Sequence, residues 1–133
     1  MGGTMDLGPR DYRGLQMKLA DCLDTAAGPV FSIEVYPPKT EKAAANLDRV
    51  LPRLVALDPA FITVTYGAMG STHDRTIEIA GRLRRELGVD SASHLTCVGA
   101  TREEIDAVLD RLHEEGVENI IALRGDPPAG EKE

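Results

Sequence analysis

Four segments of the chain alternate apolar and polar residues with a period of two, and four others repeat their apolar residues at spacings of three and four. In "VFSIEVYPPK" (30–39), Phe31, Ile33 and Val35 alternate with Ser32, Glu34 and Tyr36. That period predicts a strand with one apolar face, stopped by Pro37-Pro38. "AFITVTYGAMG" (60–70) predicts a second strand, whose β-branched run closes at Gly67. "SASHLTC" (91–97) predicts a third and "ENIIALRGD" (118–126) a fourth. Helical spacing covers 11–27, with Leu15, Leu19, Leu23 and Ala26, ending at Gly28-Pro29. It returns over 41–57, with Leu47, Val50, Leu51 and Leu54 behind an N-cap at Thr40, and Pro52 is expected to kink that helix. A third helix runs from Ser71 or Thr72 to Leu87, with Ile77, Ala80, Leu83 and Leu87 on one side and Gly88 as its C-cap. Thr101 and Glu104 form a capping box for a fourth, carrying Ile105, Val108, Leu109 and Leu112 and closed by Gly116. Residues 1–10 are Gly-rich and read as a flexible N-terminus, leaving 11–133 as the domain.

The order is a leading helix followed by β-α-β-α-β-α-β. Strands that alternate with helices of this length pair in parallel through right-handed crossovers, so the class is α/β. Two architectures compete, a doubly wound open sheet and a (β/α)8 barrel. The polar residues decide between them. Ser32, Glu34 and Tyr36 lie on one face of the first strand, Thr63 and Thr65 on the second, His94 and Thr96 on the third, and Arg124 and Asp126 on the fourth. An open sheet covered by helices on both faces needs almost continuously apolar strands. A barrel interior accepts polar residues near the C-terminal mouth of its strands, where active sites form. Four strands are half of the number such a barrel uses, so the chain reads as the N-terminal half of a TIM barrel, truncated at its C-terminus.

Composition narrows the function. Apolar residues make up 42% of the chain, enough for a core. The formal net charge of −7, without a basic block, excludes phosphate-backbone binding as a primary role, so no nucleic-acid partner is expected. An aromatic share of 4% with no Trp removes stacking platforms for single strands. Cys22 and Cys97 form neither a CxxC pair nor a His/Cys ligand set, and no metal site is expected. The chain has no secretory leader and no apolar run of membrane-spanning length, so a cytoplasmic setting without membrane contact is expected.

A few residues carry candidate chemistry. Glu34 lies between Ile33 and Val35; burial there would favour a neutral carboxyl able to act as a general acid. The structural alternative is a carboxylate paired with a cation such as Arg124. His94 on a short strand is a ligand contact or a hydrogen-bonded core histidine. Gly67-Ala68-Met69-Gly70 precedes a helix but lacks GxGxxG, which leaves a plain βα turn ahead of a phosphate loop. Arg124-Gly125-Asp126 ends an apolar strand, a poor position for an adhesion tripeptide; Arg124 can hold a phosphate or carboxylate bidentately, and Gly125 permits close backbone approach.

Together "FSIEVYPPK" (31–39), "FITVTYGAMGSTHDRT" (61–76), "SHLTCVGAT" (93–101) and "IIALRGDPP" (120–128) resemble the N-terminal half of the methylenetetrahydrofolate reductase family, over about residues 12–130. The resemblance implies a flavin-dependent barrel enzyme. Such an enzyme passes a hydride from NAD(P)H to FAD and then to a folate substrate, in one-carbon and methionine metabolism. It implies Glu34 as general acid and Asp126 as a carboxylate beside flavin and folate. It also implies Thr65, His94, Leu123, Arg124, Gly125 and Asp126 as residues lining the FAD. The further βα units of the family are expected to complete the site, as a separate C-terminal half or through a homo-oligomer. A non-catalytic binding or assembly module is the alternative.

Overall fold

The computed structural model describes residues 18–66 and 73–126. The expectations for residues 1–17, for the Gly67–Gly70 turn, for the Ser71 or Thr72 cap and for Pro127-Pro128 lie outside this set. Among the described residues the elements run α1 (Leu19–Thr25), β1 (Ser32–Val35), α2 (Glu41–Val55), β2 (Phe61–Val64), α3 (His73–Arg85), β3 (Ser91–Thr96), α4 (Arg102–Glu114) and β4 (Asn119–Leu123).

All strand pairs are parallel, and the sheet order β1-β2-β3-β4 follows the chain without reversal. A doubly wound sheet has a switch point where the order turns back. None occurs here, so the arrangement is that of four successive βα units, half of a (β/α)8 barrel. Register assigns the two faces. Ile33 and Val35, Ile62 and Val64, and Ile120 point to one side, where they meet Leu47, Leu51 and Leu54 of α2, Ile77, Ala80 and Leu83 of α3, and Val108 and Leu112 of α4. This is the core. Leu51, Ile62, Val64, Ala80 and Leu83 are completely buried in it. Glu34, Thr63 and His94 belong to the other face, the concave side of a barrel wall.

The helix signals operate as their chemistry demands. Thr40 Oγ1 accepts the Ala43 N–H at 3.2 Å. In the capping box of α4, Glu104 N donates to Thr101 Oγ1 at 3.2 Å and Thr101 N donates back to Glu104 Oε2 at 2.8 Å. Gly88 and Gly116 take the positive φ of helix-ending glycines. Pro52 does not end α2, which continues to Val55. The ring sits in the last helical turn and its carbonyl still accepts the Ala56 N–H at 3.0 Å. Charged pairs tie the outer helices together: Arg82 to Asp48 at 2.7 Å across α2 and α3, and Arg111 to Asp74 at 2.5 Å across α3 and α4.

Two boundaries differ from expectation. The described part of α1 ends at Thr25, short of Gly28, with Ala26 in an extended conformation as its C-cap, and it buries none of its residues. Leu23, read as part of an apolar face, is 56% exposed. The helix is held instead by a polar contact, the Leu19 N–H donating to Asn119 Oδ1 at 3.1 Å, while Asn119 Nδ2 donates to the Ser91 carbonyl at 3.4 Å. The strands are also shorter than their alternating segments. β4 stops at Leu123, before Arg124 and Asp126. No described helix is long and apolar enough to cross a membrane.

Candidate functional site

On the concave face three polar side chains from successive strands come together. Glu34 of β1 stands level with Thr63 of β2 in the register. The Thr63 hydroxyl lies 3.5 Å from Glu34 Oε2, at the outer limit of a hydrogen bond. His94 of β3 reaches the same oxygen from the other side, with Nε2 at 3.3 Å. Strands two positions apart in a sheet are separated by about 9.6 Å, twice the usual strand spacing. Only long side chains meet across that gap, and they pass over the short Thr63. The His94 side chain is 14% exposed, and its buried Nε2, though 3.3 Å from Glu34 Oε2, has no hydrogen bond among the described residues. Glu34 itself keeps 46% of its side-chain surface exposed. The expected burial of this carboxyl is thus only partial, because the concave side of β1 carries no helix.

Thr65 follows the end of β2 and is half-buried. Its N–H donates to the Val35 carbonyl at 3.0 Å, and its own carbonyl accepts the Thr76 hydroxyl at 3.0 Å. The backbone of this residue is therefore clamped between β1 and α3. Next to it, Tyr66 stacks on His73, with ring centroids 4.0 Å apart, and the tyrosine hydroxyl is 2.9 Å from His73 Nδ1. Burial pushes the Tyr66 phenol above its ordinary pKa, and the charges of Cys97 and Glu104 add to the effect.

The fourth strand contributes differently from its expected phase. Thr96 is the register partner of Leu123, and His94 that of Ile121, so within β4 it is Leu123 that shares the face of His94. Arg124 and Asp126 were read as part of that polar face. They lie past the end of the strand, where Val98 N donates to the Arg124 carbonyl at 2.8 Å. Gly125 has φ of +87°, and a Cβ placed there would collide with Thr96 Cγ2 and Val98 Cγ1. Its close backbone approach is to the end of β3, which explains the glycine without any ligand. Leu123, Arg124 and Asp126 are exposed at this end of the sheet and Gly125 half-buried.

Glu34, Thr63 and His94 thus converge, Thr65 stands at the neighbouring strand end, and the Leu123–Asp126 segment adjoins β3 on the far side. Two features were not singled out as site residues from the sequence. Thr63 becomes visible once β1 and β2 are aligned by their apolar positions, which puts it level with Glu34. The Tyr66–His73 stack spans a loop and leaves no periodic trace. No cluster of three or more metal-ligating side chains occurs among the described residues.

A family model for methylenetetrahydrofolate reductase matches residues 18–133. Methylenetetrahydrofolate reductase (NADH) 1 of Zea mays is 43% identical over 118 residues, which cover 86% of this chain and 20% of that protein. The 5,10-methylenetetrahydrofolate reductase of Salmonella typhimurium is 38% identical over 99 residues, 74% of this chain and 33% of that protein. Methylenetetrahydrofolate reductase 1 of Schizosaccharomyces pombe is 40% identical over 115 residues, 84% of this chain and 19% of that protein. The chain therefore spans between about a fifth and a third of the length of these curated relatives. The match runs through every described element and through each strand end that builds the site. The chain belongs to the methylenetetrahydrofolate reductase family.

Proposed function

We propose that these residues form the N-terminal part of an enzyme that reduces methylenetetrahydrofolate to methyltetrahydrofolate, with FAD as bound cofactor and NAD(P)H as hydride donor. The observation that carries the reading is the convergence of Glu34, Thr63 and His94 on an uncovered concave face, at the strand ends where barrel enzymes build active sites. The family match supplies the substrate class.

The residue types suit a flavin. A buried, unbonded ring nitrogen at His94 and the Thr65 hydroxyl offer polar contacts beside an open sheet face. Arg124 supplies a cation for a pyrophosphate at the neighbouring strand end. Thr65, His94, Leu123, Arg124, Gly125 and Asp126 are the residues that would hold the cofactor. When bound, FAD supplies a two-electron relay between nicotinamide and folate. Glu34 holds a proton at its carboxyl and delivers it to a folate nitrogen, opening the bridging methylene toward its reactive iminium form. Thr63 orients that carboxyl. Asp126 places a negative charge near the flavin and opposes the charge that reduction brings.

The test is an assay of the flavin-bound enzyme that contains these residues. Glu34→Gln should slow the folate half-reaction by about a hundred-fold or more, the contribution of a positioned general acid, while transfer from nicotinamide to flavin largely survives. A wild-type enzyme that does not reduce methylenetetrahydrofolate refutes the reading.

A second reading, pairing with further βα units, rests on a separate observation. Among the described residues β1 and β4 each have a neighbour on one side only, and proteins commonly protect edges of this kind. The partner is a second copy of the chain or a separate C-terminal half. Sedimentation of the 133-residue chain as a folded monomer at micromolar concentration counts against the copy.

A further inference from the structure

The phenylalanines and tyrosines among the described residues have different surroundings. Phe61 is buried, Phe31 precedes β1 at the end away from the mouth, and Tyr66 is stacked on His73. Tyr36, just past the C-terminal end of β1, is 71% exposed. A single exposed ring carries little meaning by itself. Here the backbone beneath it is fixed on both sides. The Val35 carbonyl accepts the Thr65 N–H at 3.0 Å. Pro37 is buried, and a residue ahead of proline is held in the extended region. The Pro38 carbonyl accepts a hydrogen bond from Arg75 Nη1 at 2.6 Å, and Nη2 of the same guanidinium donates to Glu41 Oε1 at 2.8 Å. Extended backbone sends side chains two positions apart to one side. Tyr36 therefore rises on the side of Glu34, roughly 6.6 Å farther toward the mouth.

We propose that Tyr36 is a binding residue for the folate substrate, its ring stacking on the flat ring system whose nitrogen receives the proton of Glu34. The inference rests on the reading of this site as a folate reductase. It deepens that reading by naming an aromatic contact on the substrate.

Position favours the substrate over the cofactor. The side chains suited to FAD stand on β2, β3 and β4 or past their ends, whereas Tyr36 follows β1, an edge strand among the described residues. The strand that carries the proton donor thus also carries the open ring. Aromatic rings attract at centroid separations of about 4.5–7 Å, so a ring seated against the Glu34 carboxyl comes within reach of Tyr36. Rigidity adds to the contact. Pro37, Pro38 and Arg75 hold the backbone before any ligand arrives. Two side-chain torsions are then all that Tyr36 must order on binding, and more of the stacking energy is retained.

The experiment follows the folate half-reaction of the flavin-bound enzyme that contains these residues, reduced beforehand and mixed with methylenetetrahydrofolate over a range of concentrations. In Tyr36→Ala the half-saturating concentration should rise at least about three-fold, the scale of one aromatic stack, with the flavin still bound. Tyr36→Phe keeps the ring and should recover most of the loss. Tyr36→Leu keeps apolar bulk without a π face and should recover less. Equal recovery by the two overturns the stack, and this pair decides should Tyr36→Ala fail to fold. An unchanged half-saturation in Tyr36→Ala overturns the proposal. Loss of bound flavin in that variant also overturns it, by assigning the ring to the cofactor. A larger effect on the nicotinamide half-reaction does the same, by assigning the ring to the hydride donor. A lower melting temperature with wild-type half-saturation overturns it too, because the ring then packs against protein. The two readings separate cleanly. A wild type that does not reduce methylenetetrahydrofolate removes the folate reading and the contact with it. Wild-type turnover with a normal Tyr36→Ala removes the contact alone.

Discussion

Thr76 donates its hydroxyl to the carbonyl oxygen of Thr65 at 3.0 Å, and Thr76 is completely buried. One hydrogen bond thereby fixes the residue at the mouth of β2 to the helix that follows it. Replacement Thr76→Val preserves volume and leaves the carbonyl without this donor. The expected cost is about 1 kcal/mol, a typical net value for one hydrogen bond, read as a lower urea midpoint with an unchanged slope. Weaker flavin binding in the holoenzyme should accompany it, because Thr65 loses half of its clamp.

Leu83 of α3 is completely buried against Ile62, Val64 and Leu51. Leu83→Ala should destabilise the fold by about 2–5 kcal/mol, the range for leucine truncation in a core. Thermal or denaturant unfolding measures it. An effect below about 1 kcal/mol would mean that α3 is not packed on the sheet as described.

Gly125 is held at φ of +87° with Thr96 and Val98 in the place a Cβ would occupy. Gly125→Ala should cost at least about 1 kcal/mol from left-handed backbone strain alone. The added methyl also pushes the Arg124 segment off β3, which should expose the Val98 N–H to hydrogen exchange. Unchanged protection of that amide would contradict the geometry.

Asp74 is held below the ordinary carboxylate range, first by its hydrogen bond from Arg111 and then by the charge of that guanidinium. A group whose native pKa is lowered contributes stability above its unfolded pKa, and loses it as pH falls through the native value. The window therefore lies on the acid side of the usual aspartate titration. Asp74 is almost fully in solvent, so the contribution is small, below about 1 kcal/mol. Asp74→Asn should reduce stability slightly at neutral pH and converge with the wild type in strong acid. A constant difference down to pH 2 would show that the ion pair is not its source.

The existence, type and order of the strands and helices were legible in the chain, because each buries one face and periodicity records that burial. The half-barrel architecture was legible for the same reason: Glu34 and His94 occupy positions that a sheet covered on both faces would not accept. Strand ends were less legible. Alternation continues past Val35 and Leu123 after the ladder has stopped, so Tyr36 and Arg124 looked like strand residues. β4 ends at Leu123, so Arg124 and Asp126, expected on a face of that strand, lie beyond it, while Leu123 is level with Thr96 in the register. Pro52 lies inside α2, which continues to Val55, so the proline does not mark the end of that helix. The contact between Glu34 and His94 could not be read at all. It joins strands that are not neighbours, over the top of Thr63, and depends on the curvature of the sheet.

Asn119 ties Leu19, at the start of α1, to Ser91, at the start of β3, through one side chain. The two ends of the Leu19–Asn119 contact are 100 positions apart in the chain. The described part of α1 buries no residue of its own, so its place depends on a group that is synthesised after three strands and three further helices. The first described helix to be made therefore gains this contact only once the fourth strand is in place.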